Sequence, residues 1–320
     1  MSGVDVDVEL LDRTPRVATS FATGVATGLG RPGARGELPG RRLVLPGVRQ
    51  DVPRLAGFCE VTGGLLADTV PATWLHVLTF PLQVRLMSAR DFPFPMLGMV
   101  HVGNRMRVHR PVRVTEELTL STWAEHLAPH RKGSTVDLVG EVRVADEVVW
   151  EGRSTYLVRG ATPPGPPAER APSSAAGAGA DGPPEGPAGP GADGSPQGPA
   201  GPGADGPGRQ VALWRLPADL GRSYARVAGD ANPIHLSALS AKAFGFPRAI
   251  AHGMWTHARV LAAVQPRLPQ RYAVSATFVK PILLPSTVVL RTGAEGLGDL
   301  AVTDRDGSRT HLSMQVDGRV

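Results

Sequence analysis

The segment with the clearest chemical potential spans residues 229–235, Gly-Asp-Ala-Asn-Pro-Ile-His. Asn-Pro is a turn signal, and the proline keeps Asn232 out of the α region. A rigid turn can therefore direct Asp230 and His235 into one space although five positions separate them in the sequence. A carboxylate beside an imidazole can hold one water molecule and move protons in both directions near neutral pH. A capped surface turn is the commoner structure for such a segment by itself, so the prediction needs further support.

A second feature is the stretch Ile-Ala-His-Gly-Met at 250–254, which leads into an apolar run. The first amides of a helix lack partners within the helix and carry partial positive charge. Glycine at position 253 allows a ligand to approach the backbone closely. An amide there can stabilise the charge that develops on a thioester carbonyl in an enolate-like transition state. The simpler explanation is that Gly253 only relieves crowding where the helix begins.

Three pieces of sequence together resemble the hydratase-2 motif of the MaoC-like family. They are 224–235, then Ala241 with Phe-Gly-Phe at 244–246, and finally 250–254, with the internal spacing of the motif. The resemblance implies an α+β fold of the double hot-dog form, with two repeats that each wrap an antiparallel sheet around a long buried helix. It also implies reversible hydration of trans-2-enoyl thioesters to (R)-3-hydroxyacyl thioesters. It covers most of residues 40–160 and 209–320 and is motif-specific only in the second half.

The resemblance also implies roles for individual residues. Asp230 and His235 would hold and activate the water, or return a proton in dehydration. Asn232 would shape the loop and support the bound water, and the Gly253 amide would polarise the thioester carbonyl. No metal and no redox cofactor is implied. In the first half, Gly64 stands where the catalytic aspartate would be and no histidine follows at the matching place, so that half is predicted to be non-catalytic.

Four further residues are predicted to contact the substrate. Lys280 and Arg248 could meet the phosphates of coenzyme A, although exposed basic side chains usually meet only water. His252 and Met254 lie at the predicted helix start, where His252 is also explained as a simple polar contact. His252 and His257 lie about 140° apart round a helix, so they are not expected to form a zinc-binding pair.

A stretch rich in Gly, Pro and Ala divides the chain. Residues 160–208 contain Gly-Pro-Ala-Gly-Pro-Gly-Ala-Asp-Gly twice, at 186–194 and at 198–206. This composition cannot bury enough apolar surface to offset chain entropy, and the Gly-X-Y frame of collagen breaks at Ala192, so a disordered linker is predicted. The predicted units are a degenerate repeat at 1–159 and a catalytic repeat at 209–320. We expect a shortened linker to leave activity largely intact.

Two pairs of similar segments indicate a duplicated fold unit. Val-His-Arg-Pro-Val at 108–112 is matched by Val-Lys-Pro-Ile at 279–282, and Val-Thr-Gly-Gly at 61–64 by Val-Ala-Gly-Asp at 227–230. Both pairs occur in the same order along the chain, as duplication requires.

Residue patterns predict the elements that position these segments. In the second half they predict helices at 217–227, 237–244 and 254–264, and strands at 211–216, 272–279, 287–292, 300–303 and 309–316. In the first half they predict strands at 105–114, 117–126, 134–144 and 148–158. A buried helix followed by consecutive antiparallel strands is an α+β pattern.

Composition limits the classes of function. The net charge is +5 over 320 residues without a run of Lys or Arg, so no nucleic-acid partner is predicted. The single cysteine fits a reducing cytoplasm, which is the predicted location. The sequence shows neither a signal-peptide pattern nor an apolar stretch of about 18 residues, so no membrane partner is predicted. The expected partner is an acyl-CoA or acyl carrier protein thioester, and a homodimer is among the assemblies that this prediction allows.

Two other functions fit parts of the pattern. A hot-dog acyl-CoA thioesterase shares the helix and the sheet, but it does not carry Asp-x-Asn-Pro-x-His ahead of a His-Gly helix start. A non-catalytic accessory subunit that binds acyl thioesters would not need the trio Asp230, Asn232 and His235. The sequence leaves the acyl chain length, the carrier and the pathway open.

Overall fold

The computed structural model describes residues 7–26, 31–96, 98–160 and 208–319, and the predicted linker lies outside these ranges except for its two end residues. The elements of the N-terminal half are β1 (Val8–Leu10), α1 (Val17–Ala26), β2 (Arg42–Val48), α2 (Val52–Thr62), α3 (Ala72–Ser88), β3 (Met99–Val108), β4 (Leu118–His130), β5 (Gly133–Val144) and β6 (Glu147–Arg159). Those of the C-terminal half are β7 (Arg209–Leu216), α4 (Leu220–Ala228), α5 (Pro233–Leu236), α6 (Ala238–Lys242), α7 (Gly253–Val264), β8 (Tyr272–Phe278), β9 (Ser286–Thr292), β10 (Leu300–Asp304) and β11 (Thr310–Asp317).

One sheet contains the strands of both halves. Its 11 strands have the order β1-β2-β4-β5-β6-β3-β8-β11-β10-β9-β7. Strands β3 and β8 join the halves through an antiparallel ladder that runs from Gly103 opposite Thr277 to Val108 opposite Tyr272. Because this ladder pairs one edge of each half with the other, those two edges are not left open to further pairing.

Two buried helices lie against the sheet, one from each half. Helix α3 packs on β4, β5 and β6, α7 packs on β11, and the two helices contact each other. Nearly all of α3 and most of α7 is buried, as expected for helices that are apolar on all sides. The architecture is therefore an α+β double hot-dog. No helix within the described ranges combines the length and the apolar character needed to cross a membrane.

The predicted elements of the C-terminal half are largely confirmed. Helix α7 begins one residue before the predicted start, at Gly253, and ends at Val264 as predicted. Helix α4 begins at Leu220 rather than at 217. The shorter helix α6 begins after Ser237, whose side chain accepts a hydrogen bond from the Ser240 amide, as predicted for an N-terminal cap.

The prediction for β3 at 105–114 is wrong. The strand spans Met99–Val108 and pairs on both sides, with β6 and with β8. Pro111 has no amide hydrogen to donate to a ladder, so a strand in the middle of a sheet cannot continue through it. The β-rich composition of 105–114 therefore indicated a strand but placed it too far along the chain.

The turns that follow α2 and α4 correspond to each other. Helix α2 ends at Gly63 with φ 67°, and α4 ends at Gly229 with φ 81°, both in the left-handed region that favours glycine. Gly64 thus follows its helix cap as Asp230 follows Gly229. This agreement supports the predicted duplication.

A second correspondence between the halves appears when the two buried helices are aligned at their first residues. The first helical residue of α3 is Ala72 and that of α7 is Gly253. From these starts, Trp74 and His76 occupy the same positions in α3 as Trp255 and His257 in α7. The two halves therefore each direct one Trp-x-His segment into the interior.

Hydrogen bonds across the two halves hold the ends of α2 and α4. They run from Arg54 Nε to the Val227 carbonyl at 2.7 Å, from Trp255 Nε1 to the Val61 carbonyl at 2.9 Å and from an Arg259 guanidinium nitrogen to the Thr62 carbonyl at 3.1 Å. The last carbonyls of a helix have no partner within it, so these side chains satisfy groups that would otherwise be unpaired. The turn that carries Asp230 is therefore anchored from the opposite half.

Candidate active site

The turn from Asp230 to His235 is held by its own polar side chains. One Asp230 carboxylate oxygen accepts a hydrogen bond from the Asn232 amide at 3.2 Å. Asn232 Oδ1 in turn accepts from the Ile234 amide at 3.4 Å and caps the short helix α5, which begins at Pro233. Asn232 therefore shapes the loop, as the resemblance implies. Its side-chain Oδ1 is engaged by the Ile234 amide.

His235 is oriented by a single backbone hydrogen bond. Its ring is buried, and Nδ1 lies 2.8 Å from the Ile250 carbonyl oxygen. A carbonyl can only accept, so Nδ1 carries the proton and Nε2 of the neutral ring is a free acceptor. Burial lowers the pKa of His235, while the nearby Asp230 carboxylate opposes that shift. Nε2 is therefore the nitrogen of His235 that remains able to accept a proton.

His252 lies face to face with His235, with ring centroids 3.7 Å apart. Its Nε2 donates to the Asp230 main-chain carbonyl at 3.0 Å, and its backbone forms the N-terminal cap of α7. Burial lowers the pKa of His252 well below its usual value. His252, which is predicted to contact the substrate, thus connects the Asp230 turn to α7. This connection is the simple polar contact that the sequence also allows.

Gly253 is the first residue of α7, so its amide has no acceptor within the helix. A Cβ at this position would lie 2.9 Å from the Phe278 ring, a separation that real Cβ atoms essentially never show. The crowding explanation considered from the sequence therefore holds. It is compatible with the amide role, because the same absence of a side chain leaves the amide open to a ligand.

The other three residues predicted to bind substrate are less clearly placed. Met254 is buried in the apolar core. Arg248 is exposed and donates to the Pro285 carbonyl at 3.3 Å. Lys280 is exposed, and within the described residues no hydrogen bond or ion pair joins either cation to Asp230 or His235.

Two residues that the sequence analysis did not single out support the site. A Cβ at Gly221 of α4 would overlap the His235 carbonyl oxygen, so only glycine permits this approach. Tyr224 of the same helix is buried, and its ring centroid is 4.9 Å from that of His252. Burial and the Asp230 carboxylate both raise the pKa of Tyr224. Tyr224 belongs to the recognised motif, whereas nothing in the sequence alone indicates the role of Gly221.

Asp230, His235 and His252 are also the one group in the described chain whose candidate metal-ligating atoms all lie within 4.8 Å of one another. Each imidazole already uses one nitrogen on a backbone carbonyl. The two rings are stacked with centroids 3.7 Å apart and are tilted by only 24°, so their remaining lone pairs lie in two nearly parallel planes. This donor set suits proton transfer better than the convergent coordination of a metal ion.

The corresponding turn of the N-terminal half carries different residues at the positions of Asp230 and His235. Gly64 replaces the aspartate, and Thr69 stands five residues later, as His235 does after Asp230. A Cβ at the preceding Gly63 would overlap the guanidinium of Arg259, which reaches across from α7. The turn therefore lacks both proton-transfer groups, and a side chain of the other half fills its surroundings.

Comparison with known proteins supports the same family. Residues 207–314 match the family described as "MaoC like domain". The chain is similar to 3-hydroxyacyl-thioester dehydratase X of Mycobacterium tuberculosis, with 35% identity over 288 residues, which covers 88% of this chain and 91% of the relative.

Solved structures show the same likeness. The crystal structure of HtdX of Mycobacterium tuberculosis matches with a TM-score of 0.67 and 32% identity, over 86% of this chain and 99% of that one. A MaoC-like dehydratase from Phytophthora capsici shares the fold, with a TM-score of 0.60 and 17% identity over 92% of this chain and 95% of that one. The chain belongs to the family of MaoC-like hot-dog dehydratases.

Proposed function

We propose that the chain catalyses the reversible hydration of trans-2-enoyl thioesters to (R)-3-hydroxyacyl thioesters, carried by coenzyme A or by acyl carrier protein. The observation that carries the proposal is the hydrogen bond from His235 Nδ1 to the Ile250 carbonyl, because it leaves Nε2 available as a base in a ring that lies close to the Asp230 carboxylate. Family membership and the name of the Mycobacterium tuberculosis relative support the same reaction.

In the hydration direction, a water molecule lies between the Asp230 carboxylate and His235 Nε2. The pair takes one proton from the water as its oxygen bonds to C3. The negative charge passes to the thioester oxygen, where the Gly253 amide stabilises it. The pair then returns a proton to C2 on the same face, so that water is added and the enzyme is unchanged. These steps require no metal and no redox cofactor.

The test uses the purified chain and a short trans-2-enoyl-CoA. We expect loss of the conjugated enoyl absorbance and formation of the (R)-hydroxy product, resolved by chiral chromatography. Asp230→Asn and His235→Ala should each lower kcat by about 10²-fold or more, the size expected for acid–base groups. Asp146→Asn, in the exposed turn after β5, and His109→Ala, just beyond β3, are matched controls that should keep the wild-type rate.

Other outcomes would identify the alternatives. Release of free thiol without hydration would show a thioesterase instead. Acyl-CoA binding without turnover would show a non-catalytic accessory subunit. Near-full hydration by both Asp230→Asn and His235→Ala would remove these residues from the mechanism.

A further inference from the structure

A second group of polar side chains lies in the interior between α3, α7 and the sheet. We call it the histidine cluster, and it consists of His76 on α3, His101 on β3, Tyr156 on β6 and His257 on α7. The ring of His101 is 6.3 Å from that of His76 and 4.7 Å from that of Tyr156. His257 lies close enough to His76 and His101 for their charges to interact. Both halves of the chain therefore contribute to one interior polar region.

Four ring nitrogens of the histidine cluster lack hydrogen-bond partners in the part of the chain that the structure describes. His76 Nδ1, His101 Nε2 and both ring nitrogens of His257 are buried and have no hydrogen-bond partner within the described residues. Burial lowers the pKa of His76 to about 4 and that of His257 to about 3, so both rings are neutral near pH 7. Each neutral ring offers one donor and one acceptor. Buried polar groups in native proteins are rarely left unpaired, so this concentration of them calls for a partner from outside the chain.

The histidine cluster also adjoins the candidate active site. The ring of Phe278 is 5.0 Å from that of His101, and its nearest atoms lie 2.9 Å from the position that a Cβ on Gly253 would take. The Asp230 carboxylate is close enough to raise the pKa of both His76 and Tyr156. A substrate whose thioester carbonyl meets the Gly253 amide and whose C3 meets Asp230 can therefore extend its acyl chain toward the cluster.

We infer that the histidine cluster binds an oxygen-bearing part of the acyl chain, so that the preferred substrates carry a hydroxyl or keto group beyond the reacting carbons. This inference rests on the proposed function for the orientation of the substrate. A plain alkyl chain would displace water from the unpaired nitrogens without replacing its hydrogen bonds, and such a loss disfavours binding. A hydroxyl or keto oxygen supplies the missing partner.

The test measures binding of saturated thioesters, which do not react. Octanoyl-CoA is compared by calorimetry with analogues that carry one hydroxyl at C5, C6, C7 or C8, on the full-length chain. We expect at least one analogue to bind about tenfold more tightly than octanoyl-CoA, since one unpaired buried group costs about that factor. If every analogue binds as octanoyl-CoA does, the cluster holds only water and the inference is wrong.

Variants then locate the effect. Tyr156→Phe removes one oxygen with almost no change in volume, and His257→Leu replaces the ring by an apolar group of similar size. Both should bring the preference for the best analogue toward unity. His109→Leu, a half-exposed histidine paired with Glu151, is the matched control and should leave the preference unchanged. If His257→Leu does not fold, the wild-type comparison and Tyr156→Phe still test the inference. A preference for the hydroxylated analogue that is unchanged in Tyr156→Phe and in every folded cluster variant would contradict it.

Failure of the two proposals can be told apart. Turnover of enoyl-CoA together with equal binding of all analogues would keep the hydratase and reject the role of the cluster. Preferential binding of a hydroxylated analogue without turnover of any enoyl-CoA would do the reverse.

Discussion

At the scale of the residue, two stacked imidazoles divide the work of the site. His235 Nδ1 donates a hydrogen bond to the Ile250 carbonyl and leaves Nε2 without a partner among the described residues, whereas His252 Nε2 donates to the Asp230 main-chain carbonyl. In the proposed mechanism, the same side-chain type therefore reacts in one position and orients the turn in the other. The two histidines differ in which ring nitrogen donates a hydrogen bond to a backbone carbonyl, Nδ1 in His235 and Nε2 in His252.

The pH dependence of hydration follows from this arrangement. His235 acts as a base only while it is neutral, and burial lowers its pKa from the usual 6.5. We therefore expect kcat/KM to stay constant from pH 8 down to about 6.5 and to fall only in more acidic solution, because protonation removes the Nε2 lone pair. Rates of enoyl-CoA hydration across this range give the measurement. An acidic limb with its midpoint above 6.5 would contradict the assignment of His235 as the base.

At the scale of the element, the site depends on how closely its helices approach one another. Helix α4 passes so near to α5 that residue 221 must be glycine, and α7 begins so near to β8 that residue 253 must be glycine. The first contact positions the helices on either side of the Asp230 turn, and the second positions the proposed oxyanion amide. A shift of α4 would carry the turn with it, because the turn begins at the end of that helix.

We predict that Gly221→Ala separates folding from catalysis. The added methyl group overlaps the His235 carbonyl oxygen, so α4 and α5 must move apart. A displacement of about 1 Å in a catalytic group can cost about 10²-fold in rate, so we expect kcat to fall by about that amount while circular dichroism remains close to wild type. Gly40→Ala is the control, because a Cβ there meets nothing within 4 Å. Wild-type kcat in Gly221→Ala would show that the close approach is not needed.

The sequence predicts elements well where local chemistry marks their ends. Helix α7 follows from an apolar run between Gly253 and Pro266, and the strands of the C-terminal half lie close to their expected positions. The position of β3 could not be obtained in this way, because its ends are set by simultaneous pairing with β6 and β8. The sequence predicts the Asp230 turn because its residues lie within six consecutive positions. It does not predict the histidine cluster, because α3, β3, β6 and α7 bring its members together from distant parts of the chain.

At the scale of the whole molecule, a continuous sheet and the anchored ends of α2 and α4 make one interior from two halves. The described interior contains buried histidines from both: His76 on one side and His235, His252 and His257 on the other. Burial lowers the pKa of each of them. Burial therefore makes all four histidines resist protonation in the folded chain as the pH falls.

We predict that stability falls as the pH drops below about 6.5, the pKa of an unperturbed histidine. The unfolded chain takes up protons in this range while the folded chain does not, because the folded pKa values are lower. Stability is therefore fully present above pH 6.5 and is lost toward acid, by about 1.4 kcal/mol per pH unit for each such histidine. Urea unfolding between pH 7.5 and 5 measures the slope. His257→Leu should reduce it by one proton equivalent relative to His109→Leu, and a flat profile would contradict the prediction.

The side chain of Arg259 beside Gly63 also makes the difference between the halves hard to reverse. A second reactive turn would need an acid at position 64, a base at position 69 and a new neighbour in place of Arg259. Removing Arg259 first would leave the Thr62 carbonyl without its donor, and adding the acid first would bring no turnover. Each intermediate step is thus neutral or harmful. If the proposed site is the reaction centre, single mutations that each survive selection would not add a second one to the N-terminal half.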